Sequence, residues 1–242
     1  MRRTHTTRLA AGALALTLVV GACSSDDGDE ASTDTTPTTE AMADDTMAMD
    51  DDMAMDDEAE LASATAAAEL RAALTAGLQE HVYLTGAVVE AAVHTPEAFE
   101  PAAATLDANS VELSEAIASV YGDDAGAAFL ELWRTHIGFF VDYTNARAGG
   151  DDAAAAAAVD ELTAYGQDFG AFLESANPNL PQDAIAANLD EHVATLTAAI
   201  DALLAGDADA YDQLKAASDH MPMTAATLAG GIVTQMPEQF PG

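Results

Sequence analysis

Three histidines, His81, His136 and His192, follow one another at intervals of 55 and 56 residues. Each sits in a similar setting: Gln79-Glu80-His81-Val82, Arg134-Thr135-His136-Ile137 and Asp190-Glu191-His192-Val193. A second set of polar residues keeps the same register, since Asn109, Tyr165 and His220 fall 28, 29 and 28 residues after those histidines. Imidazole is the commonest protein ligand for zinc, copper, nickel and iron, and three imidazoles can form a metal site with one open position. Met223 lies three residues after His220, on the same helical face, with Pro222 between them removing one backbone hydrogen bond. The expected metal ligands are therefore His81, His136, His192, His220 and Met223, and the expected ion is copper or zinc. A second reading stays open, in which the histidines are hydrogen-bonded core residues and the methionines fill space.

A further set of soft ligands lies nearer the N-terminus. Between residues 41 and 57, Met42, Met47, Met49, Met53 and Met55 alternate with pairs of aspartates. Thioethers suit Cu(I), and the flanking carboxylates would raise the local cation concentration, so the segment could collect metal at low affinity. Slippage of a low-complexity spacer accounts for the same pattern.

Several chemistries lack their signatures. The Glu-x-x-His spacing of di-iron bundles does not occur, nor does His-x-x-x-His or His-Glu-x-x-His. Glu80, Glu191 and Asp219 adjoin histidines in sequence, but helical neighbours point about 100° apart, so these carboxylates face elsewhere. No serine nucleophile motif, phosphate loop or paired-carboxylate pattern is readable, and the chain is read as a non-enzyme. Trp133 is expected to anchor the core beside His136. Tyr83, Tyr121, Tyr143 and Tyr165 are expected to hydrogen-bond inside the fold or line a cavity.

The elements that must position these residues are helices. Apolar residues recur at helical spacing, as in Leu106, Val111, Leu113, Ile117 and Val120, with acidic residues between them. Six helices are expected, over 61–93, 98–121, 125–148, 151–176, 182–205 and 208–235, and no strand. Thr95-Pro96, Gly122-Asp123, Gly149-Gly150-Asp151 and Gly206-Asp207 punctuate them, and Asn177-Pro178-Asn179-Leu180-Pro181 is a rigid break. The register makes the fold all-α, a six-helix bundle of three repeated helical hairpins. Closed around an axis, the hairpins could bring the three histidines to one point. Stacked as a solenoid, they would hold them about 20 Å apart. Three repeats are few for a solenoid, which favours closure.

The chain carries 42 acidic and seven basic residues, for a formal net charge of −35. Such a charge disfavours nucleic acid and anionic lipid head groups as partners and favours cations. A lone cysteine permits neither an internal disulfide nor a cysteine-based zinc or iron-sulfur site. That cysteine closes an instructive N-terminus. Arg2, Arg3 and Arg8 precede an apolar run from Leu9 to Val20, and Val20-Gly21-Ala22-Cys23 follows. The run is too short for an ordinary transmembrane helix and has the make-up of an export signal. Val20-Gly21-Ala22-Cys23 resembles the lipobox of bacterial lipoproteins. The resemblance implies cleavage before Cys23, a diacylglycerol on its thiol, and a membrane-anchored protein facing the extracytoplasmic side. Residues 1–22 are then a signal peptide, 23–60 the lipidated cysteine with a disordered acidic tether, and 61–242 the helical domain.

The domain also resembles a family of all-helical bacterial extracytoplasmic proteins. The likeness rests on Glu80-His81-Val82-Tyr83-Leu84-Thr85, Tyr121-Gly122, Ser175-Ala176-Asn177-Pro178-Asn179, and on the last helix from Asp219-His220-Met221 to Gly231-Ile232-Val233-Thr234-Gln235-Met236-Pro237. It implies the helical fold and carries no activity or site. Tyr165 and Leu180 depart from it, at positions where the pattern has asparagine and tryptophan. Two functions remain in view: a lipid-anchored protein that captures a transition metal, copper above all, or a non-enzymatic interaction module of the envelope, its protein partners unknown.

Overall fold

The structure is a computed structural model that describes residues 63–241. The expected signal peptide, Cys23, and the tether with Met42, Met47, Met49, Met53 and Met55 lie outside the described residues. Among the described residues the fold is all-helical, with six α-helices, one short 3-10 turn and no strand. The helices are α1 (Ala66–His94), α2 (Phe99–Tyr121), α3 (Asp123–Gly149), α4 (Asp152–Ala176), α5 (Gln182–Ala205) and α6 (Ala210–Gln235). None of them is long and apolar enough to cross a membrane.

Local chemistry sets the ends. The Thr65 side chain accepts a hydrogen bond from the Ala68 N–H at 3.2 Å and starts α1, and Asp151 does the same for α4 through Ala154 at 3.0 Å. Pro96 opens the 3-10 turn Pro96–Ala98 rather than α2 itself, which instead accommodates Pro101 in its first turn, where the missing N–H has no helical partner to lose. Gly150 and Gly206 close α3 and α5 at φ +71° and +67°, a left-handed turn that aims their N–H groups back at the helix carbonyls.

Successive helices pack against each other, and α6 returns to pack on α1, so the six close into a ring. The short connections run neighbours antiparallel. Close approach needs small residues on the facing surfaces: Ala199 on α5 and Ala217 and Ala225 on α6 are wholly buried. At Gly170 of α4, a Cβ would stand 2.6 Å from the Gln182 carbonyl oxygen at the start of α5. One end of the ring is tied by side chains at the C-terminal ends of α2, α4 and α6. The Tyr121 hydroxyl donates to Gln235 Oε1 at 2.8 Å and accepts from Asn177 Nδ2 at 3.1 Å, while Gln235 Nε2 donates to the Ala176 carbonyl at 2.8 Å. Beyond its ring neighbours, α5 also touches α1 and α3, and this inner contact lets side chains from α1, α3 and α5 meet in the middle.

Candidate functional site

His81 on α1, His136 on α3 and His192 on α5 all point inward and are buried, at 1%, 4% and 5% exposure. Ring closure thus decides between the two arrangements open to the sequence: the histidines share one core instead of standing two helix spacings apart. The His81 and His136 ring centroids are 5.5 Å apart. Trp133, one turn before His136, fills the angle between them, 4.9 Å from His81 and edge-on to His136 at 4.5 Å. Tyr165 of α4 stacks on His136 at 5.1 Å, and Phe140 meets His192 edge-on at 5.8 Å.

The centre of this cluster is a cavity of about 40 Å³. All three histidines line it, together with Trp133, Tyr165 and Met221, and among the described residues no aspartate, glutamate, lysine or arginine reaches it. Its size is enough for an ion with a water-sized group, since one water needs roughly 10–15 Å³ by this measure. The electrostatics follow from the dryness. Burial first, and then the neighbouring His192, push the His81 imidazole down to about 3. Burial and His220 lower His192 to about 4. Burial, then His81 and His192, hold His136 well below its ordinary 6.5. Burial alone raises the Tyr165 phenol. At neutral pH the site therefore consists of uncharged imidazoles and an uncharged phenol.

These groups are poorly satisfied. Among the described residues, Nδ1 of His81, His136 and His192, Nε1 of Trp133, the Tyr165 hydroxyl and the Ser218 hydroxyl are buried without a well-formed hydrogen bond; the His81 ring has Asn109 and the His136 ring the Trp133 backbone as weaker partners. Each such group costs about 1–3 kcal/mol relative to a paired one, and a cluster of them in a folded core calls for a physical cause. Whichever ring nitrogen of a neutral imidazole carries no proton can serve as a metal ligand. Two imidazoles on one ion place their ring centroids about 6 Å apart when opposed, and closer when bent, given metal–nitrogen distances near 2 Å. The spacing of His81 and His136 falls in that range. Among the described residues, no three groups drawn from histidine, cysteine, aspartate and glutamate converge tightly enough to hold an ion. A third ligand would have to be of another type, and the only thioether on the cavity is Met221.

The remaining expected ligands sit elsewhere. His220 is half-buried between α5 and α6, where its Nε2 donates to the Asn188 carbonyl at 3.1 Å; it does not line the cavity. Met223 is 57% exposed. The partners at equivalent register do meet the histidines: Tyr165 touches His136, His220 acts on the charge of His192, and the Asn109 carboxamide, which donates to the Gly77 carbonyl and to Glu80, lies beside His81. Met221, not Met223, is the inward methionine of α6, although Met223 has the helical spacing from His220. The buried stripe of α6, Leu214, Ala217, Ser218, Met221, Ala225 and Ala229, keeps helical period, and Met221 is on it while His220 and Met223 are not. That stripe was the available signal.

Comparison of the chain with protein-family models, with curated proteins and with solved structures found no match.

Proposed function

We propose that the helical domain binds one soft transition-metal ion, Cu(I) in the first place, through His81, His136 and Met221. The observation that carries this reading is the shared cavity: neutral imidazoles and a thioether line the same 40 Å³. Imidazole with thioether selects Cu(I) over zinc. The absence of a lining carboxylate acts in the same direction, because a singly charged ion in neutral ligands loses less hydration energy on burial than a doubly charged one. On this reading the domain is three hairpins of one plan, each giving a histidine to the centre. The proposal extends to the whole chain. Cys23 carries the lipid that holds the protein on the extracytoplasmic face of the membrane, and Met42, Met47, Met49, Met53 and Met55 collect the ion that the domain then keeps.

The deciding experiment is an anaerobic Cu(I) titration against a chromophoric chelator, on the full chain carrying Cys23→Ser so that no thiol competes. One tight site is expected, and it persists when the five tether methionines are changed to leucine. Met221→Leu leaves the fold nearly as stable, since leucine and methionine are close in volume, but weakens the tight site by roughly tenfold or more. In the double variant His81→Phe, His136→Phe, circular dichroism confirming the helices, that site disappears. A tight site that survives the double variant would falsify this assignment. If the folded wild-type chain takes up no Cu(I), the interaction-module reading stands instead.

A further inference from the structure

A second cavity enters the bundle from outside, between α1, α2 and α3, and has a volume of about 130 Å³. Its rim is formed by Ala92, Val141 and Asn145, and its walls by Val89, Leu106 and Phe140. His81 forms its inner end, so one imidazole stands between this pocket and the central cavity.

The chemistry of the lining specifies what it can hold. Among the described residues, no aspartate, glutamate, lysine or arginine lines it. A charged guest would lose its hydration there without a counter-charge, a cost of several kcal/mol. The two hydroxyls on the wall spend their single donor on their own helices, Thr85 on the His81 carbonyl at 2.9 Å and Thr144 on the Phe140 carbonyl at 2.8 Å, and can only accept from a guest. The other polar groups of the lining are the His81 ring and the Asn145 carboxamide at the rim. The volume selects small guests, since an apolar cavity of roughly 150 Å³ accommodates a benzene molecule.

We propose that this pocket binds a small, uncharged, largely apolar molecule of single-ring size, with its one hydrogen-bonding group turned inward to the His81 imidazole. The pocket shares His81 with the metal reading but does not depend on it, because the guest enters from the rim and the titration contains no metal.

Phenol is the probe, benzene its counterpart without the hydroxyl, and benzoate its charged counterpart. Each is titrated into the full chain, metal-free, following methyl resonances and the thermal midpoint. Phenol is expected to bind saturably, to raise the midpoint, and to move the methyl signals of Val88, Val89, Leu106 and Ile137 while those of Leu196 and Ile200 stay still. Benzene binds more weakly than phenol, and benzoate does not bind. Val88→Phe directs added volume into the pocket from a half-buried wall position, and Ala92→Trp covers the rim from an exposed one. Either variant weakens phenol by about tenfold or more, as overpacking of a cavity does. In His81→Phe the advantage of phenol over benzene is lost. The proposal fails if phenol does not saturate the wild type, if neither filled variant weakens it, or if benzoate binds as well as phenol. Loss of copper binding with phenol binding intact would overturn the metal site alone.

Discussion

Three neutral imidazoles in one apolar core make the stability of the fold depend on pH in a definite direction. In the unfolded chain a histidine titrates near 6.5, whereas burial takes His81 down to about 3 and His192 to about 4. Between those values the unfolded chain binds protons that the folded one excludes. The stabilisation is therefore fully present above about pH 6.5 and is lost as pH falls toward 4. Each such histidine adds a slope of about 1.4 kcal/mol per pH unit across that window. Urea unfolding at pH 7 and pH 5 should show His192→Phe less pH-sensitive than the wild type by about this amount, and an equal slope in both proteins would contradict the buried neutral imidazole. At this scale the spacing of the histidines was legible, because three polar residues in one register of an alanine- and leucine-rich chain must lie on the inward face or be costly. What spacing could not decide was which of His220 and Met221 looks inward. They differ by one residue, about 100° of helix, and only the buried stripe of α6 separates them.

Two glycines on neighbouring helices make opposite use of a missing side chain. Gly170 faces the start of α5, where a Cβ would sit 2.6 Å from backbone oxygen that cannot move away without moving the helix. Gly138 of α3 has nothing within 4 Å of its notional Cβ. Gly170→Ala should lower stability by about 1–3 kcal/mol, through overpacking, whereas Gly138→Ala should raise it by about 0.5–1 kcal/mol, through better helix propensity. Thermal melts of the two variants check this, and a Gly170→Ala protein as stable as the wild type would argue against the close approach of α4 and α5. Helix existence and most helix ends could be read from the sequence because glycine, proline and aspartate punctuate them. The expected end of α2 at Tyr121 and both ends of α5 match the structure, while α1 begins at Ala66 rather than at residue 61. The late start has a local cause: Thr65 caps the helix, and a side chain accepting from Ala68 fixes the first turn there. The 3-10 turn at Pro96 was hidden for a similar reason. A proline followed by helix formers reads as a first helical residue, and nothing in the composition marks a turn tighter than α.

Across the molecule, charge and closure pull in opposite directions. The chain holds seven basic residues against 42 acidic ones, so most surface carboxylates repel one another without a partner. Two arginines join helices: Arg134 clasps Asp107 of α2 in a two-pronged pair at 2.7 and 2.8 Å, and Arg147 links Asp152 of α4 with Asp201 of α5, while Lys215 pairs with Asp219 within α6. Since these exposed pairs are individually weak and the net repulsion is long-ranged, screening should relieve more than it removes. The melting midpoint is expected to rise between about 10 and 500 mM sodium chloride, as the Debye length shrinks from roughly 30 to below 10 Å. A fall over that range would mean that the pairs outweigh the repulsion.

The contact of α6 with α1 has a consequence for the order in which the helices are strung. A ring of antiparallel neighbours has no structural first member. The start of α1 and the end of α6 come to the same rim, the one tied by Tyr121, Asn177 and Gln235. Every one of the six junctions is then equivalent in kind, five covalent and one made only by packing. The chain could be cut at the Gly150 turn and rejoined at that rim with the same interior, because the central histidines belong to the circle of helices and not to the sequence in which they are read.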